Sequence, residues 1–464
     1  MMNTIAIFQR WYKPKKSVSL LICLFLLTAC ESYLSPDDPT GQIPLEEIFK
    51  DESSATAIIS TLYAKLRDEV LVTGSTQGMG VLMGWYADEL EYLGAPGQAS
   101  EAFFQHQIIP SNATVLQIWN NSYSLIYMTN AAIEGLEASK SLSEEIKNQL
   151  LGEALFVRGM VHFYLVNLFG DIPYITTTNH TTNSTVSRMK TVKVYEKIIL
   201  DGMNAKARLG ANYVSNERIR ANQWVASALL ARVYLYARQW ENAENESSLI
   251  ISNISLYNLP RIEEVFLKTS PSAILQLKTK SQGNSTYEAN IFTFTSTPPP
   301  LLALNNDLVS EMEINDLRKT NWIKEVKNAS DIWYHPNKYK KDSSLEYSTI
   351  FRLAEQYLIR AEARVRQNDL IGAKKDINTI RQRAGLQNTT ATTEEELLKA
   401  VFKERRFELF TEHGHRWFDL RRSSQAEEIL SQVKHEWKST DILLPIPDTE
   451  LLMNANLNPQ NPGY

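Results

Sequence analysis

Residues 352–386 read RLAEQYLIRAEARVRQNDLIGAKKDINTIRQRAGL. Apolar and small residues fall at helical spacing on both sides of a short polar break, which describes two helices joined by a tight turn. The same pattern recurs when the chain is laid against itself at an offset of 130: Leu229, Ala231, Trp240, Ala243 and Ile250 fall on Ile359, Ala361, Leu370, Ala373 and Ile380. In both copies an alanine sits where two antiparallel helices must cross closely. Alternating large and small residues of this kind let helical hairpins nest, as in tetratricopeptide arrays. Two copies predict a helical-hairpin scaffold wrapped by longer insertions.

The helical reading extends outward. Ser53 to Val70 carries Ala57, Ile58, Leu62 and Leu66 near helical spacing, and Thr114 to Leu136 continues the theme. Ser143 to Leu168 is apolar nearly all round (Leu150, Leu151, Leu155, Val157, Val161, Phe163, Leu165, Val166), so a central, buried helix is expected, stopped at Gly170 and Pro173. Residues 71–112, with six glycines among aromatics, read as loop. Residues 261–350 change character, with short strands expected over Ser272 to Lys278 and Ile291 to Thr295. The fold class expected is mostly α, with irregular insertions at about 71–112 and 261–350 and minor β-structure, in one domain over residues 30–464.

The first 29 residues are set apart from that fold. Arg10, Lys13, Lys15 and Lys16 precede an apolar run from Val18 to Leu27, too short to span a bilayer, and Leu27-Thr28-Ala29-Cys30 follows. This layout resembles a bacterial lipoprotein signal, which implies cleavage and lipidation at Cys30. The mature chain then carries 44 basic against 53 acidic residues, a formal charge near −9. Such a balance gives no basic patch for nucleic acid. With Cys23 removed, Cys30 stands alone and no intrachain disulfide can form. A polar, proline-broken tether spans about 31–45.

A family resemblance rests on ordered motifs. Gly152-Glu153-Ala154 leads through Val157-Arg158-Gly159 to Leu168-Phe169-Gly170-Asp171-Ile172-Pro173. The repeat helix from Arg352 and the run Ile380-Arg381-Gln382-Arg383-Ala384-Gly385-Leu386 come next. Glu404-Arg405-Arg406-Phe407-Glu408-Leu409 and Gly414-His415-Arg416-Trp417-Phe418-Asp419-Leu420-Arg421-Arg422 follow, and the chain closes with Leu444-Pro445-Ile446-Pro447 and Asn458-Pro459-Gln460-Asn461-Pro462-Gly463-Tyr464. Together these resemble the SusD/RagB family of starch-binding-type outer-membrane lipoproteins over nearly the whole mature chain. The resemblance implies a surface site for glycan, or in some members peptide. It also implies a cell-surface position on the outer membrane, docking onto a SusC-like TonB-dependent transporter, and an acidic tether that acts as an export tag. Calcium occurs in some members, but no dense Asp/Asn loop is present here.

Ligand residues vary within that family, so candidates are chosen by position. Sugar rings offer a flat CH face and a hydroxyl rim, which aromatic planes and amide, carboxylate or guanidinium groups match. Two loop stretches supply aromatics: Tyr92, Phe103, Phe104 and His106 in the first, and Tyr287, Trp322, Trp333 and Tyr334 in the second. Trp119, Trp224, Trp240 and Trp417 lie on helices and read as scaffold.

The C-terminal motif reads as structural. Thr393 with Glu396 fits a capping box, Glu404, Glu408 and Glu412 recur every fourth residue, and Gly414 is placed to end the helix. Arg405, Arg406, Arg416, Arg421 and Arg422 are the cations expected to balance the stripe in an ion-pair lattice that includes Trp417 and Asp419. Glu412 and His415 have Glu-x-x-His spacing, but a di-metal site needs that motif twice and no second copy exists, so no metal or cofactor is expected. Nucleophile elbows, phosphate loops and zinc motifs are absent. The expectation is a binding protein rather than an enzyme. Peptide capture and an assembly scaffold without ligand are the alternatives.

Overall fold

The computed structural model describes residues 48–340 and 345–464. The signal, Cys30 and the tether lie outside the described residues. From Phe49 to Tyr464 the chain forms one compact unit.

Its frame is a succession of helices. Helix α1 (Glu52–Asp68) and α2 (Met79–Tyr86) lead to the long pair α3 (Ala113–Ala138) and α4 (Glu144–Phe169). Then come α5 (Thr191–Arg208), the hairpin α6 (Gln223–Tyr236) and α7 (Trp240–Ser252), the hairpin α8 (Leu353–Arg366) and α9 (Leu370–Arg383), and α10 (Glu394–Leu409) with α11 (His415–Arg422). Packing runs in order from α3 through α10, and α7 lies directly on α8 although residues 253–352 intervene. The repeat at offset 130 is therefore a stacked pair of hairpins. Even the turns correspond: Arg238 and Asn368 both take left-handed backbone, with φ of 58° and 65°.

Local chemistry starts and stops these helices. The Ser143 hydroxyl accepts from Ile146 N at 3.4 Å to cap α4, and Gly170 (φ 73°) ends it. Every residue from Leu150 to Phe169 is buried, so α4 is the axis of the core. Thr393 and Glu396 form the reciprocal capping box of α10.

Among the described residues the strands make three antiparallel pairs. β1 (Leu90–Tyr92) pairs with β3 (Leu302–Leu304), β2 (Ala273–Leu277) with β6 (Ser348–Arg352), and β4 (Ile323–Lys327) with β5 (Ile332–Pro336).

Three expectations are corrected. Residues 71–112 are not simply loop, because α2 within them is almost wholly buried. Its glycines serve close packing: a Cβ on Gly80 would lie 2.6 Å from the Thr411 carbonyl. Ile291 belongs to a short helix, Tyr287–Phe292, rather than a strand, because Thr286 caps Ala289 N at 3.1 Å. Gly414 (φ 78°) begins α11 instead of ending α10, which stops at Leu409, so Glu412 lies outside the helix.

The acidic stripe is buried and ion-paired, but with other cations than its sequence neighbours. Glu404 meets Arg318 at 2.9 Å and Arg381 at 2.6 Å. Glu408 meets Arg352 at 2.5 Å and also Arg383, and Glu412 meets Lys338 at 2.5 Å and Arg352 at 2.8 Å. Arg405 instead pairs with Asp419 at 2.6 Å, Arg416 and Arg406 with Asp88 at 2.7 and 3.0 Å, and Arg422 with Glu362 at 2.6 Å. Arg421 donates to Asn167 Oδ1 at 3.3 Å, and Trp417 packs edge-on against Tyr86 at 4.7 Å. The lattice ties α10 and α11 to α2, α8, α9 and the 316–338 segment.

Candidate functional site

A cavity of about 400 Å³ opens where the end of α1 faces the 279–290 segment after β2. The segment leaves the buried strand through a polar run whose tip, Gly283, has φ of 86°, and re-enters order at the Thr286 cap. Tyr287 is thereby held half-buried at the wall, with the Asn284 and Asn290 amides and Lys280 exposed around it.

Charge and hydrogen bonding fix the Tyr287 phenol. Its hydroxyl donates to Asp68 Oδ1 at 3.1 Å, while Arg67 donates to both Asp68 oxygens at 2.7 and 2.6 Å. The Arg67 hydrogen bond holds the Asp68 carboxyl below its usual range despite some burial. Burial pushes the Tyr287 hydroxyl up, so at neutral pH it stays a donor. At the base, Glu288 is 7% exposed and accepts from the Ser348 hydroxyl, while its Oε2 has no hydrogen-bond partner. Burial raises its pKa above the usual carboxylate value. Gly74 closes the wall there, since a Cβ would fall 2.2 Å from Glu288 Cδ.

A half-buried aromatic edged by amides, a guanidinium, an ammonium and a carboxyl suits a hydroxylated ring. Glycoside hydrolysis needs two carboxyl groups set about 5–10 Å apart. Among the described residues lining this cavity, Glu288 is the one acid. The described residues hold no group of three side chains able to bind a metal ion, and none of their helices is long and apolar enough to cross a membrane.

Of the aromatics chosen from sequence, Tyr287 alone lines this cavity. Phe103 and His106 are buried, with His106 Nε2 against the Tyr86 carbonyl at 2.8 Å and Nδ1 facing Asp441 at 3.4 Å. Neither has surface to offer a ligand. Trp322, 1% exposed, donates from its indole to the Ile262 carbonyl at 3.0 Å and belongs to the core. Tyr92 and Phe104 are half-buried, their rings stacked 6.5 Å apart, and the Tyr92 hydroxyl is spent on the Ala95 carbonyl at 2.8 Å. Trp333 and Tyr334 stand half-buried on the β4–β5 hairpin, opposite Val326 and Glu325. Arg67, Lys280, Asn284, Glu288 and Asn290 also line the cavity and were not among the candidates. The polar run Lys280-Ser281-Gln282-Gly283-Asn284-Ser285-Thr286 was a signal for Lys280 and Asn284, whereas no local pattern marked Arg67, Glu288 or Asn290.

Comparison with known proteins gives the same architecture. Residues 46–235 match a SusD-like family described as "Starch-binding associating with outer membrane", and residues 282–464 match the SusD family. The chain is 24% identical to SusD-like protein P2 of Formosa agariphila, over 97% of this chain and all of that protein. A crystal structure of a SusD superfamily protein from Bacteroides vulgatus superposes with a TM-score of 0.79 at 20% identity, covering 89% of this chain and 99% of the other. A laminarin binding SusD-like protein superposes at 0.76 with 23% identity, covering 89% of this chain and 100% of the other. Surface glycan-binding protein A from Bacteroides thetaiotaomicron, in complex with laminarihexaose, gives 0.74 with 18% identity, covering 88% and 99%. The two family matches, which between them span most of the chain, make it a member of the SusD/RagB family.

Proposed function

We propose that the protein captures oligosaccharide in the Tyr287 cavity and delivers it to a SusC-like TonB-dependent transporter. It does so from the outer face of the outer membrane, anchored by lipid on Cys30. The observation that carries the ligand reading is the Tyr287 ring, fixed by Asp68 and Arg67 and bordered by Asn284 and Asn290. Laminarin and laminarihexaose binding by proteins of the same fold supports a sugar over a peptide. A cavity lined by a single acid supports binding without cleavage. No cofactor is needed for this role.

Titration calorimetry of the protein against oligosaccharide and peptide panels tests the ligand class. Sugar binding that releases no reducing ends supports the reading, and peptide binding alone replaces it. Extraction in gentle detergent tests the partner: a TonB-dependent barrel should co-purify, and Cys30 should carry acyl chains by mass spectrometry.

A further inference from the structure

A second groove, of about 550 Å³, shares no lining residue with the Tyr287 cavity. One wall is α3, where Trp119, Tyr123 and Tyr127 recur every fourth residue and so share one face. Exposure rises along that stripe, from buried Trp119 through half-buried Tyr123 to Tyr127 at 53%. The facing wall is the 173–186 segment with the C-terminal helix Asp448–Met453 and the residues just after it.

The walls are cross-braced, so the groove is preformed. Tyr123 donates its hydroxyl to the Pro173 carbonyl at 2.9 Å, and its ring meets Trp119 at 4.8 Å. Asn454 and Asn456 join the two parts of the facing wall, donating to the Val186 and Thr185 carbonyls at 2.8 Å.

Among the described residues lining the groove, Glu450 is the one acid. Asn183 spends its amide N–H on the Thr177 carbonyl at 2.8 Å, and its Oδ1 is buried beneath the groove surface. Glu450 presents a carboxyl that burial raises, against a hydrogen bond from the Trp119 side chain that lowers it. No lysine or arginine lines the groove. An aromatic face beside a carboxyl calls for an apolar CH surface edged by hydroxyl donors, and a lining that holds Glu450 but no lysine or arginine disfavours an anionic ligand.

We propose that this groove is a second carbohydrate site, taking a neutral oligosaccharide segment that stacks on Tyr127 and donates hydroxyls to Glu450. The inference rests on the glycan reading above and adds a subsite to it. A glycan long enough to engage both sites at once would gain avidity over one that reaches a single site.

Calorimetry of the full-length chain in detergent tests this with hexasaccharides of neutral glucan (laminarihexaose among them), xylan and mannan, beside a galacturonan hexasaccharide and a peptide panel. With the first cavity weakened by Tyr287→Ala, neutral sugar should still bind. Adding Tyr127→Ala should weaken that residual binding at least about tenfold, or about 1.4 kcal/mol, while Tyr127→Phe should preserve it. Circular dichroism should show both variants folded, since Tyr127 is largely exposed. Residual binding unchanged by Tyr127→Ala, or competed only by galacturonan or peptide, overturns the second site and leaves the first standing. Loss of all binding in Tyr287→Ala alone does the same. Wild-type protein that binds no sugar in the panel removes the glycan reading itself, and the groove proposal with it.

Discussion

Arg232 on α6 donates to both carboxylate oxygens of Glu355 on α8, at 2.6 and 2.7 Å, across 123 residues of chain. Both side chains are buried, and the Tyr164 hydroxyl of α4 accepts from the same guanidinium at 3.2 Å. The pair locks one repeated hairpin to the other and both to the central helix. Burial opposes the Arg232 charge, but Coulomb attraction to Glu355 and Tyr164 together with the hydrogen bonds to Glu355 outweighs it and keeps Arg232 charged.

Removing one partner strands a buried charge. Glu355→Leu should destabilise the protein by about 3–5 kcal/mol, whereas Arg232→Met combined with Glu355→Leu should cost much less than the sum of the single changes. Urea denaturation of the four proteins of this cycle checks it. Near-additive losses would show that the pair does not couple the hairpins.

The tryptophans divide by burial. Trp322→Ala empties a core position and should cost about 3–5 kcal/mol. Trp333→Ala, on a half-buried hairpin face, should cost about 1 kcal/mol. Thermal unfolding of the two variants distinguishes them, and equal losses would contradict the packing described.

Glu89 carries a pH signature. Burial pushes its carboxyl up to about 7 from an ordinary 4.5, with Oε2 accepting from Thr411 N at 3.0 Å and Oε1 unpartnered. Asp88 beside it adds to the rise, while Arg416 and Lys338 oppose it. A raised folded value means the protonated group stabilises fully below the ordinary value, and that contribution is lost as pH climbs through about 7. Wild type should therefore lose stability relative to Glu89→Gln between those limits, on the order of 2 kcal/mol. Denaturation at stepped pH measures the difference, and a flat difference would place the proton elsewhere.

Gly74 links fold to site. A methyl group there collides with Glu288, so Gly74→Ala should cost about 1–3 kcal/mol and weaken ligand binding in the Tyr287 cavity. Unfolding and titration of the same variant report both effects. A folded variant with unchanged affinity would separate Glu288 from the site.

Much of the frame was legible because it is periodic. The offset of 130 carried through to the stacked hairpins and to the matching left-handed turns at Arg238 and Asn368, and the capping residues Ser143 and Thr393 marked helix starts. Ion-pair partners were not legible, because nearness in sequence is a poor guide to nearness in space. Glu408 lies next to Arg405 and Arg406 in the chain yet meets Arg352, Arg383 and Arg318, which are 56, 25 and 90 residues away. Glycines misled for a related reason. Gly80 serves a helix pressed against backbone, which looks the same in sequence as a loop glycine. At the site, aromaticity alone drew in Phe103 and Trp322, whose burial depends on contacts that no local pattern encodes.

The most direct test compares oligosaccharide affinity in wild type, Tyr287→Ala and Tyr334→Ala. Calorimetry should show a loss of at least about tenfold for Tyr287→Ala, the worth of one stacking ring, and near-wild-type affinity for Tyr334→Ala. Affinity that survives Tyr287→Ala and disappears with Tyr334→Ala would move the site to the β4–β5 hairpin and contradict the account.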